Sequence, residues 1–455
     1  MRALPSINVD QLLNTRPMSG LQWRVVALCF LVIALDGFDA AIMGFIAPQL
    51  ALDWRLDTAS LGPLMSAALI GVALGALLAG PLADRLGRKP VLVGAVAFFG
   101  VLTLASAFAP SLDWLVALRL LTGLGLGAAM PNAGTLASEY TPQQHRSMLI
   151  TLVLSGFTFG AAVGGFTAAW LIPHLGWQSV LLIGGVLPLL ALPLLIRGLP
   201  ESLRWLVARQ PVQNPQSSVP MRRIVQRLAC GLADEQTRFR VDPVERPRRN
   251  PVARLLARGM LGGTLLLWLS YFMGLFLVYL LGGWLPTLIR DSGLTVSDAA
   301  LMTALFQFGG TVGSLGLGWL SDRREPHRTL ALAYLFGALA IFLMGNTHPG
   351  LGLFALLATL AGFCLNGANA CMYALAAHFY PTQARATGVS WMRGMGGLGS
   401  IASGFAGAQM LGAGGSLATV CTALAVPALL AAIAVFIKGC LPVGPGSTQP
   451  EPSLR

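Results

Sequence analysis

The stretch G-P-L-A-D-R-L-G-R-K at residues 80–89 recurs in shortened form as G-W-L-S-D-R at 318–323, an offset of 238 residues. A second pair of segments has nearly the same offset, because E-Y-T-P-Q-Q-H-R at 139–146 lies over H-F-Y-P-T-Q-A-R at 378–385. Two separate matches at nearly the same offset indicate an internal duplication. The chain is therefore predicted to consist of two related halves.

The composition indicates the environment of these halves. Of the 455 residues, 55% are hydrophobic and only 11% are charged, and the mean hydropathy is +0.70. A soluble domain carries about 25% charged residues, and disorder requires low hydrophobicity together with high charge. The composition thus excludes both a soluble globular protein and a disordered one, and it indicates a polytopic membrane protein.

Apolar windows of roughly 20 residues, the length that crosses a bilayer, predict twelve transmembrane helices in two sets of six. The first set is 24–47, 60–82, 90–109, 113–138, 148–171 and 177–197, and the second is 260–286, 297–320, 328–346, 351–377, 386–411 and 416–437. We therefore predict an all-α polytopic membrane protein with two pseudo-symmetric six-helix halves, an architecture typical of transporters. The predicted domains are an N-terminal half (1–197), a central loop (198–259), a C-terminal half (260–438) and a tail (439–455).

The net charge of +12 is mostly a topology signal. The segment 197–258 contains thirteen arginines and five acidic residues. Because basic loops stay on the cytoplasmic side of a membrane, the central loop and both termini are predicted to be cytoplasmic. This placement argues against nucleic acid as a partner and favours the lipid bilayer, including its anionic lipids.

No cofactor chemistry is expected from the sequence. The six cysteines show no C-x-x-C spacing, so neither a metal site nor a disulfide framework is predicted. The spans also lack a nucleophile–base cluster, which argues against an enzyme. A receptor is not favoured either, because the sequence gives no sign of a soluble signalling domain. A transporter that functions as a monomer is the favoured interpretation.

The motif at 80–89 is a candidate gate. Its candidate residues are Gly80, Asp84, Arg85, Gly87 and Arg88, and the repeat adds Asp322 and Arg323. Gly80 permits close helix packing, Gly87 permits a tight turn, and Asp84 can accept from helix-start N–H groups or pair with an arginine. The alternative is a plain basic turn on the cytoplasmic side.

Two acids inside the first span are candidate proton carriers. Asp36 lies roughly 18 Å along the helix from Arg24, near the middle of a ~30 Å hydrocarbon core. Asp39 follows three residues later on the same face. Since two close carboxylates in a low-dielectric site do not easily both ionise, one is predicted to hold a proton. The alternative is a structural hydrogen-bonding acid.

Four further ionisable residues lie within the predicted spans or at their ends. Arg119 is predicted to pair with an aspartate or with a substrate carboxylate, and its alternative is snorkelling to the outer interface. Arg393, roughly 12 Å deep, is a candidate substrate contact with the same alternative. Glu139 and His378 occupy equivalent inner ends of two spans and are expected to pair with cytoplasmic arginines, with direct proton transfer as the alternative.

Several motifs resemble the major facilitator superfamily. These are the 80–89 motif with its copy, R-L-L-T-G-L-G-L-G-A at 119–128, and P-E-S-L-R-W-L at 200–206. Four more resemble its aromatic acid:H+ symporter family: L-D-G-F-D-A-A-I-M-G-F-I-A-P at 35–48, W-L-P-T-L at 284–288, A-L-F-Q-F-G-G-T at 304–311 and Y-P-T-Q-A-R-A-T-G-V at 380–389. The similarity covers nearly the whole chain except the central loop and the tail.

The resemblance implies a proton-coupled symporter in a bacterial inner membrane that works by alternating access and supplies aromatic catabolism. The implied substrates are aromatic carboxylates such as 4-hydroxybenzoate, protocatechuate or benzoate. The segment 391–400 departs from the family pattern. The family often has an arginine near the position of Gly397, whereas this chain has its arginine four residues earlier, at Arg393. The alternatives are a carrier for another organic anion and a drug/proton antiporter.

Overall fold

The computed structural model describes residues 6–209, 224–226, 228, 238–240, 255–256, 259–347, 350–381 and 384–441. Most of the predicted central loop (198–259) and most of the predicted tail (439–455) lie outside these residues.

The described part of the chain is almost entirely helical. In the N-terminal part the helices are α1 (Val9–Thr15), α2 (Gly20–Trp54), α3 (Leu61–Leu86), α4 (Arg88–Ser106), α5 (Leu112–Tyr140), α6 (Arg146–Leu175), α7 (Gln178–Gly198) and α8 (Leu203–Ala208), with a 3₁₀ turn at Thr58–Ser60. In the C-terminal part they are α9 (Leu261–Asp291), α10 (Val296–Arg323), α11 (Pro326–Asn346), α12 (Leu351–Phe379), α13 (Arg385–Gly412) and α14 (Leu417–Cys440). The prediction of a helical membrane fold is confirmed.

One small feature departs from an all-α chain. Two three-residue strands, β1 (Ser6–Asn8) and β2 (Arg238–Arg240), pair in parallel with Ile7 opposite Phe239. The pairing joins the start of the chain to a segment of the central loop. Alternation of apolar and polar residues is a weak signal over three residues, so this pairing is not predictable from the sequence.

Within the described residues, eleven of the twelve predicted spans coincide with helices long and apolar enough to cross a membrane. The remaining predicted span, 386–411, is the 28-residue helix α13. This helix is long enough but less apolar, because it contains Arg393 and many glycines. Helix α2 extends well beyond the predicted 24–47 because Pro48 is accommodated inside it.

The chain divides into two compact units. Unit 1 comprises Met1–Trp54 and Pro63–Val244, and unit 2 comprises Arg55–Gly62 and Glu245–Arg455. Unit 1 contains α2, α4 to α7 and nearly all of α3, whereas unit 2 contains α9 to α14.

Glycines bring the helices of unit 1 into backbone contact. A Cβ on Gly160 of α6 would overlap the Ala34 carbonyl of α2, and one on Gly71 of α3 would overlap the Leu120 carbonyl of α5. Small residues are what allow such close helix packing in membranes. These contacts fix α2 and α5, the helices that carry the predicted buried charges.

Glycines also bring helices of unit 2 into backbone contact. A Cβ on Gly309 or Gly313 of α10 would overlap the carbonyls of Thr359 and Phe363 of α12. In return, a Cβ on Gly362 of α12 would overlap the Phe306 carbonyl of α10. The α10–α12 pair is therefore held at backbone distance along several turns.

Candidate functional site

The predicted buried charges of unit 1 form an ion pair. Arg119 on α5 donates from Nη1 to Asp39 Oδ2 on α2 across 3.2 Å, and each side chain is 1% exposed. The contact to Asp39 Oδ1 is longer, at 3.4 Å. Of the possibilities given for Arg119, the structure thus shows pairing with an aspartate and not snorkelling to an interface.

Helix α4 completes the pair with two hydroxyl groups. Arg119 Nη2 donates to Thr103 Oγ1 at 3.1 Å and to Ser106 Oγ at 3.2 Å. The Thr103 hydroxyl in turn donates to Asp39 Oδ1. Removing two charges from water is compensated only when further hydrogen bonds satisfy both groups, and Thr103 supplies this compensation to both partners.

The guanidinium of Arg119 is not saturated. Its Nε is buried and has no hydrogen-bond partner among the described residues. An arginine presents five N–H donors in a planar fork suited to carboxylates. The guanidinium therefore binds one carboxylate through Nη1, and its buried Nε donor has no acceptor among the described residues.

The second aspartate lies close to this pair along the chain. Asp36 is 4% exposed and precedes Asp39 by three residues, so the two carboxylates lie about one turn apart on α2. The burial predicted for both acids is therefore present. The structure adds that Asp39 is bonded to Arg119.

A second charged cluster forms where α4 begins. Arg88 Nη1 lies 2.7 Å from Glu139 Oε1, and Ser202 Oγ donates to Glu139 Oε2 at 2.6 Å. The Glu139 side chain is 5% exposed, so this ion pair is largely shielded from water. Glu139 thus pairs with an arginine, which is the first of the two alternatives given for it.

Glu201 holds the turn before α4. Its Oε1 accepts from the backbone N–H groups of Arg88 at 2.8 Å and Lys89 at 3.1 Å. A carboxylate at a helix N-terminus satisfies N–H groups that otherwise have no partner and interacts favourably with the helix dipole. The turn itself requires Gly87, which has φ +101° and whose Cβ would lie 2.5 Å from Glu201 Oε2.

This arrangement corrects the prediction for Asp84. Asp84 is exposed, and its carboxylate makes no hydrogen bond or ion pair with the part of the chain that the structure describes. Its backbone carbonyl accepts from Trp205 Nε1 at 3.1 Å. The helix-start contacts expected of Asp84 are made by Glu201, and the arginine contact is made by Glu139.

The prediction for Gly80 is also wrong in its physical reason. Gly80 is exposed, and a Cβ built on it would meet no atom within 4 Å. Close helix packing therefore does not explain a glycine there. Arg85, five residues after Gly80, is also exposed, and its backbone carbonyl accepts from Arg209 Nη2.

The second copy of the motif carries a different arrangement. Asp322 and Arg323 are both exposed, and the Arg323 guanidinium lies 4.2 Å from the centre of the Trp319 ring. His378, the counterpart of Glu139, is exposed and has no arginine partner among the described residues, so its predicted pairing is not present. The duplication therefore kept the loop but not the ion pair.

Arg393 lies half-buried in α13, within electrostatic range of Tyr271 on α9. The Tyr271 hydroxyl donates to the Tyr373 hydroxyl on α12 at 2.9 Å. Gly396 leaves room for the Tyr271 ring, since a Cβ on Gly396 would overlap that ring. Arg393 thus interacts with the Tyr271 phenol, a relationship that the sequence does not indicate.

Three residues of these clusters are not identified by reasoning from the sequence. Thr103 and Ser106 occur three residues apart at the end of an apolar span, a spacing that signals one helix face but is common. Glu201 stands in P-E-S-L-R-W-L, where no neighbour in sequence assigns it a role. No group of three or more metal-ligating side chains occurs in the described ranges.

Comparison with known proteins identifies the family of the chain. The Major Facilitator Superfamily model matches residues 29–344 and 267–453. A 4-hydroxybenzoate transporter of Pseudomonas putida is 50% identical over 95% of this chain and 96% of its own length. A gallate transporter of the same species is 48% identical over 95% of both chains.

The fold has experimental counterparts. A crystal structure of a D-xylose–proton symporter superposes with a TM-score of 0.69 at 17% identity, covering 94% of this chain and 99% of that one. The expectation of a transporter and not an enzyme agrees with these relatives. With a family model matching most of its length and relatives about half identical throughout, the chain belongs to the Major Facilitator Superfamily of membrane transporters.

Proposed function

We propose that this protein imports an aromatic carboxylate together with a proton by alternating access. The observation that carries the proposal is the buried Arg119–Asp39 pair, in which an unsaturated guanidinium is held by a carboxylate. The relatives support the substrate class, because 4-hydroxybenzoate and gallate are both aromatic acids that carry ring hydroxyls.

The pair provides a direct means of coupling. While Asp39 is ionised, its carboxylate competes with a substrate carboxylate for Arg119 and repels the substrate. Protonation of Asp39 removes the charge, and the guanidinium then binds the substrate carboxylate through its fork. Proton binding and anion binding thereby favour each other, which is the reciprocal coupling that symport requires.

Asp36 strengthens this coupling. A second buried carboxylate one turn away raises the free energy of the state in which both acids are ionised. An incoming third carboxylate raises it further. The site therefore favours entry of substrate only when at least one proton is present on the Asp36/Asp39 pair.

The clusters at the cytoplasmic ends are proposed to act as gates. In unit 1 the Arg88–Glu139 ion pair and the Glu201 contacts tie together α4, α5 and the segment after α7. The exposed charges Asp84, Arg85, Asp322 and Arg323 are available for contacts that form in another conformation. Such contacts would stabilise one state of the transport cycle over the other.

The proposed setting is the bacterial inner membrane, with both termini in the cytoplasm and a monomer as the working unit. The basic central segment supports this orientation through the positive-inside rule. Arg393 beside Tyr271 is proposed as a second substrate contact, since an arginine in a span is a functional candidate by default.

The test is uptake of labelled 4-hydroxybenzoate into cells, competed by a panel of aromatic acids, with and without an uncoupler. Symport predicts accumulation that the uncoupler abolishes and that aromatic carboxylates inhibit. Inhibition by aliphatic anions alone would instead favour a carrier for another organic anion. Resistance to lipophilic compounds without aromatic acid uptake would favour a drug/proton antiporter.

A further inference from the structure

Three amide side chains in unit 2 are buried but leave polar atoms without hydrogen-bond partners. Gln307 on α10 is 5% exposed, and Asn366 and Asn369 on α12 are each 6% exposed. The unpartnered atoms are the Gln307 Oε1 acceptor and the Nδ2 donors of both asparagines. Because buried polar groups almost always have partners, each of these atoms indicates a partner that the protein itself does not supply.

Two of these residues share one contact between helices. A Cβ on Gly310 of α10 would lie 2.7 Å from Asn366 Nδ2. Gln307 precedes Gly310 by three residues and therefore lies on the same face of α10, one turn earlier. Gln307 and the contact of Gly310 with Asn366 therefore lie on one face of α10, and neither Gln307 Oε1 nor Asn366 Nδ2 has a hydrogen-bond partner.

The third helix around this region is α9. Gln307 Nε2 would lie 3.1 Å from a Cβ on Gly282 of α9, so the amide reaches across to that helix. Gln307 and Asn366 also lie near the midpoints of α10 and α12. For spanning helices this corresponds to the middle of the bilayer, where an unsatisfied polar group is most costly.

Asn369 lies one turn further along α12, and we call Gln307, Asn366 and Asn369 together the polar row. Its Oδ1 accepts from the Tyr334 hydroxyl at 3.1 Å, so the amide is fixed and its Nδ2 points in another direction. Gly274 on α9 allows this position, because a Cβ there would overlap Asn369 Oδ1. The polar row therefore offers the Gln307 Oε1 acceptor, the Asn366 Nδ2 donor and the Asn369 Nδ2 donor, and the last is fixed by the bond to Tyr334.

We propose that Gln307, Asn366 and Asn369 bind the ring hydroxyl of a hydroxylated aromatic acid, an inference that rests on the proposed function. A hydroxyl donates one hydrogen and also accepts, so it satisfies an acceptor and neighbouring donors together. A carboxylate only accepts and would meet the Gln307 Oε1 dipole unfavourably. The better partner of a carboxylate is a guanidinium.

This assignment makes the row a determinant of substrate specificity. A site built to hydrogen-bond a substrate hydroxyl rejects the analogue that lacks it, because its polar groups are then left unpaired. Benzoate is the matched analogue of 4-hydroxybenzoate. The wild-type protein is therefore expected to bind 4-hydroxybenzoate more tightly than benzoate.

The test uses the full chain in cells that take up labelled 4-hydroxybenzoate. Unlabelled 4-hydroxybenzoate and benzoate compete, and the ratio of their half-inhibitory concentrations does not depend on the amount of protein. Gln307→Met and Asn366→Leu keep the side-chain volume approximately and remove the amide donors and acceptors. We expect each to lower the preference for 4-hydroxybenzoate over benzoate by about tenfold, the effect of one lost hydrogen bond, mainly through weaker binding of 4-hydroxybenzoate.

The matched control is Asn132→Leu on α5. Asn132 is also buried, at 5% exposure, but its Nδ2 donates to the Ala128 carbonyl at 2.8 Å. Removing this amide should leave the preference unchanged. An unchanged preference in Gln307→Met and Asn366→Leu, or an equal fall in the control, would overturn the assignment.

A second measurement covers variants that no longer transport. Ligands that bind only the folded state raise its unfolding temperature, so purified wild-type protein should be stabilised more by 4-hydroxybenzoate than by benzoate. The variants should lose this difference, and its persistence would count against the assignment. Absence of uptake and of competition by every aromatic acid in the wild-type protein would overturn the proposed function, and the inference with it.

Discussion

Arg119 on α5 and Asp39 on α2 form a 3.2 Å ion pair in which neither side chain is more than 1% exposed. Thr103 and Ser106 on α4 accept from the same guanidinium. Three helices therefore meet at one arginine whose Nε has no partner among the described residues. Breaking this pair is expected to affect both the packing of unit 1 and the binding of an anion.

Asp39→Asn should uncouple transport from the proton gradient. The neutral amide imitates the protonated acid, so Arg119 stays available to a substrate carboxylate at every pH. We expect accumulation against a gradient to be lost while exchange of labelled for unlabelled substrate continues. Uptake under an imposed pH gradient, measured beside counterflow in vesicles, distinguishes these two activities.

The exposed Asp113→Asn, in the first turn of α5, is the control for loss of an acid and should accumulate substrate normally. Accumulation by Asp39→Asn at the wild-type level would refute the coupling role of Asp39.

Arg119→Gln should destabilise unit 1 strongly. It leaves the Asp39 carboxylate buried without its counter-charge, and breaking a buried pair in this way costs about 3–5 kcal/mol. The double variant Asp39→Asn with Arg119→Gln removes both charges of the pair and should recover much of that loss. Thermal unfolding of the purified proteins measures the effect, and equal losses in the single and double variants would contradict it.

Thr103→Val tests the hydroxyl that bonds to both charged groups. Valine has the same shape but neither donates to Asp39 nor accepts from Arg119, so about 1–3 kcal/mol of stability should be lost. Thr103→Ser keeps the hydroxyl and should stay near wild type in unfolding temperature and in uptake. If both variants behave alike, the hydrogen bonds of Thr103 do not support the pair.

The sequence is sufficient to predict most of the helices. Spans such as α7 and α14 are nearly continuous apolar runs, and the offset between the two Gly-Asp-Arg motifs reveals the duplication without structural information. The helix α13 is the instructive exception, since Arg393 and its glycines lower its hydropathy. It still contains enough uncharged residues around that one arginine to predict a span.

The site is less predictable because its contacts are distant in sequence. Asp39 and Arg119 are 80 residues apart, and their place inside spans identifies both as candidates without showing that they meet. Glu201 is hidden for a similar reason, since nothing local shows that its carboxylate reaches the start of α4. Asp84 lies beside that helix start in sequence, so local reasoning selects the wrong acid.

Gly87→Ala should destabilise the turn before α4, whereas Gly80→Ala in the same motif should not. Gly87 has φ +101°, and a Cβ there would lie 2.5 Å from Glu201 Oε2, so alanine brings backbone strain of about 1–3 kcal/mol and a steric conflict. Gly80 is helical with open space around it, so alanine there is expected to be neutral or slightly stabilising. Thermal unfolding of the two purified variants measures the difference.

The double variant Gly87→Ala with Glu201→Ala separates the strain at Gly87 from the conflict with Glu201. If the conflict dominates, the double variant is less stable than wild type only by the loss of the Glu201 contacts, because the carboxylate that the added methyl group meets is then absent. If the backbone strain dominates, the losses from the two single substitutions add. Equal unfolding temperatures for Gly87→Ala and Gly80→Ala would show that neither cause operates.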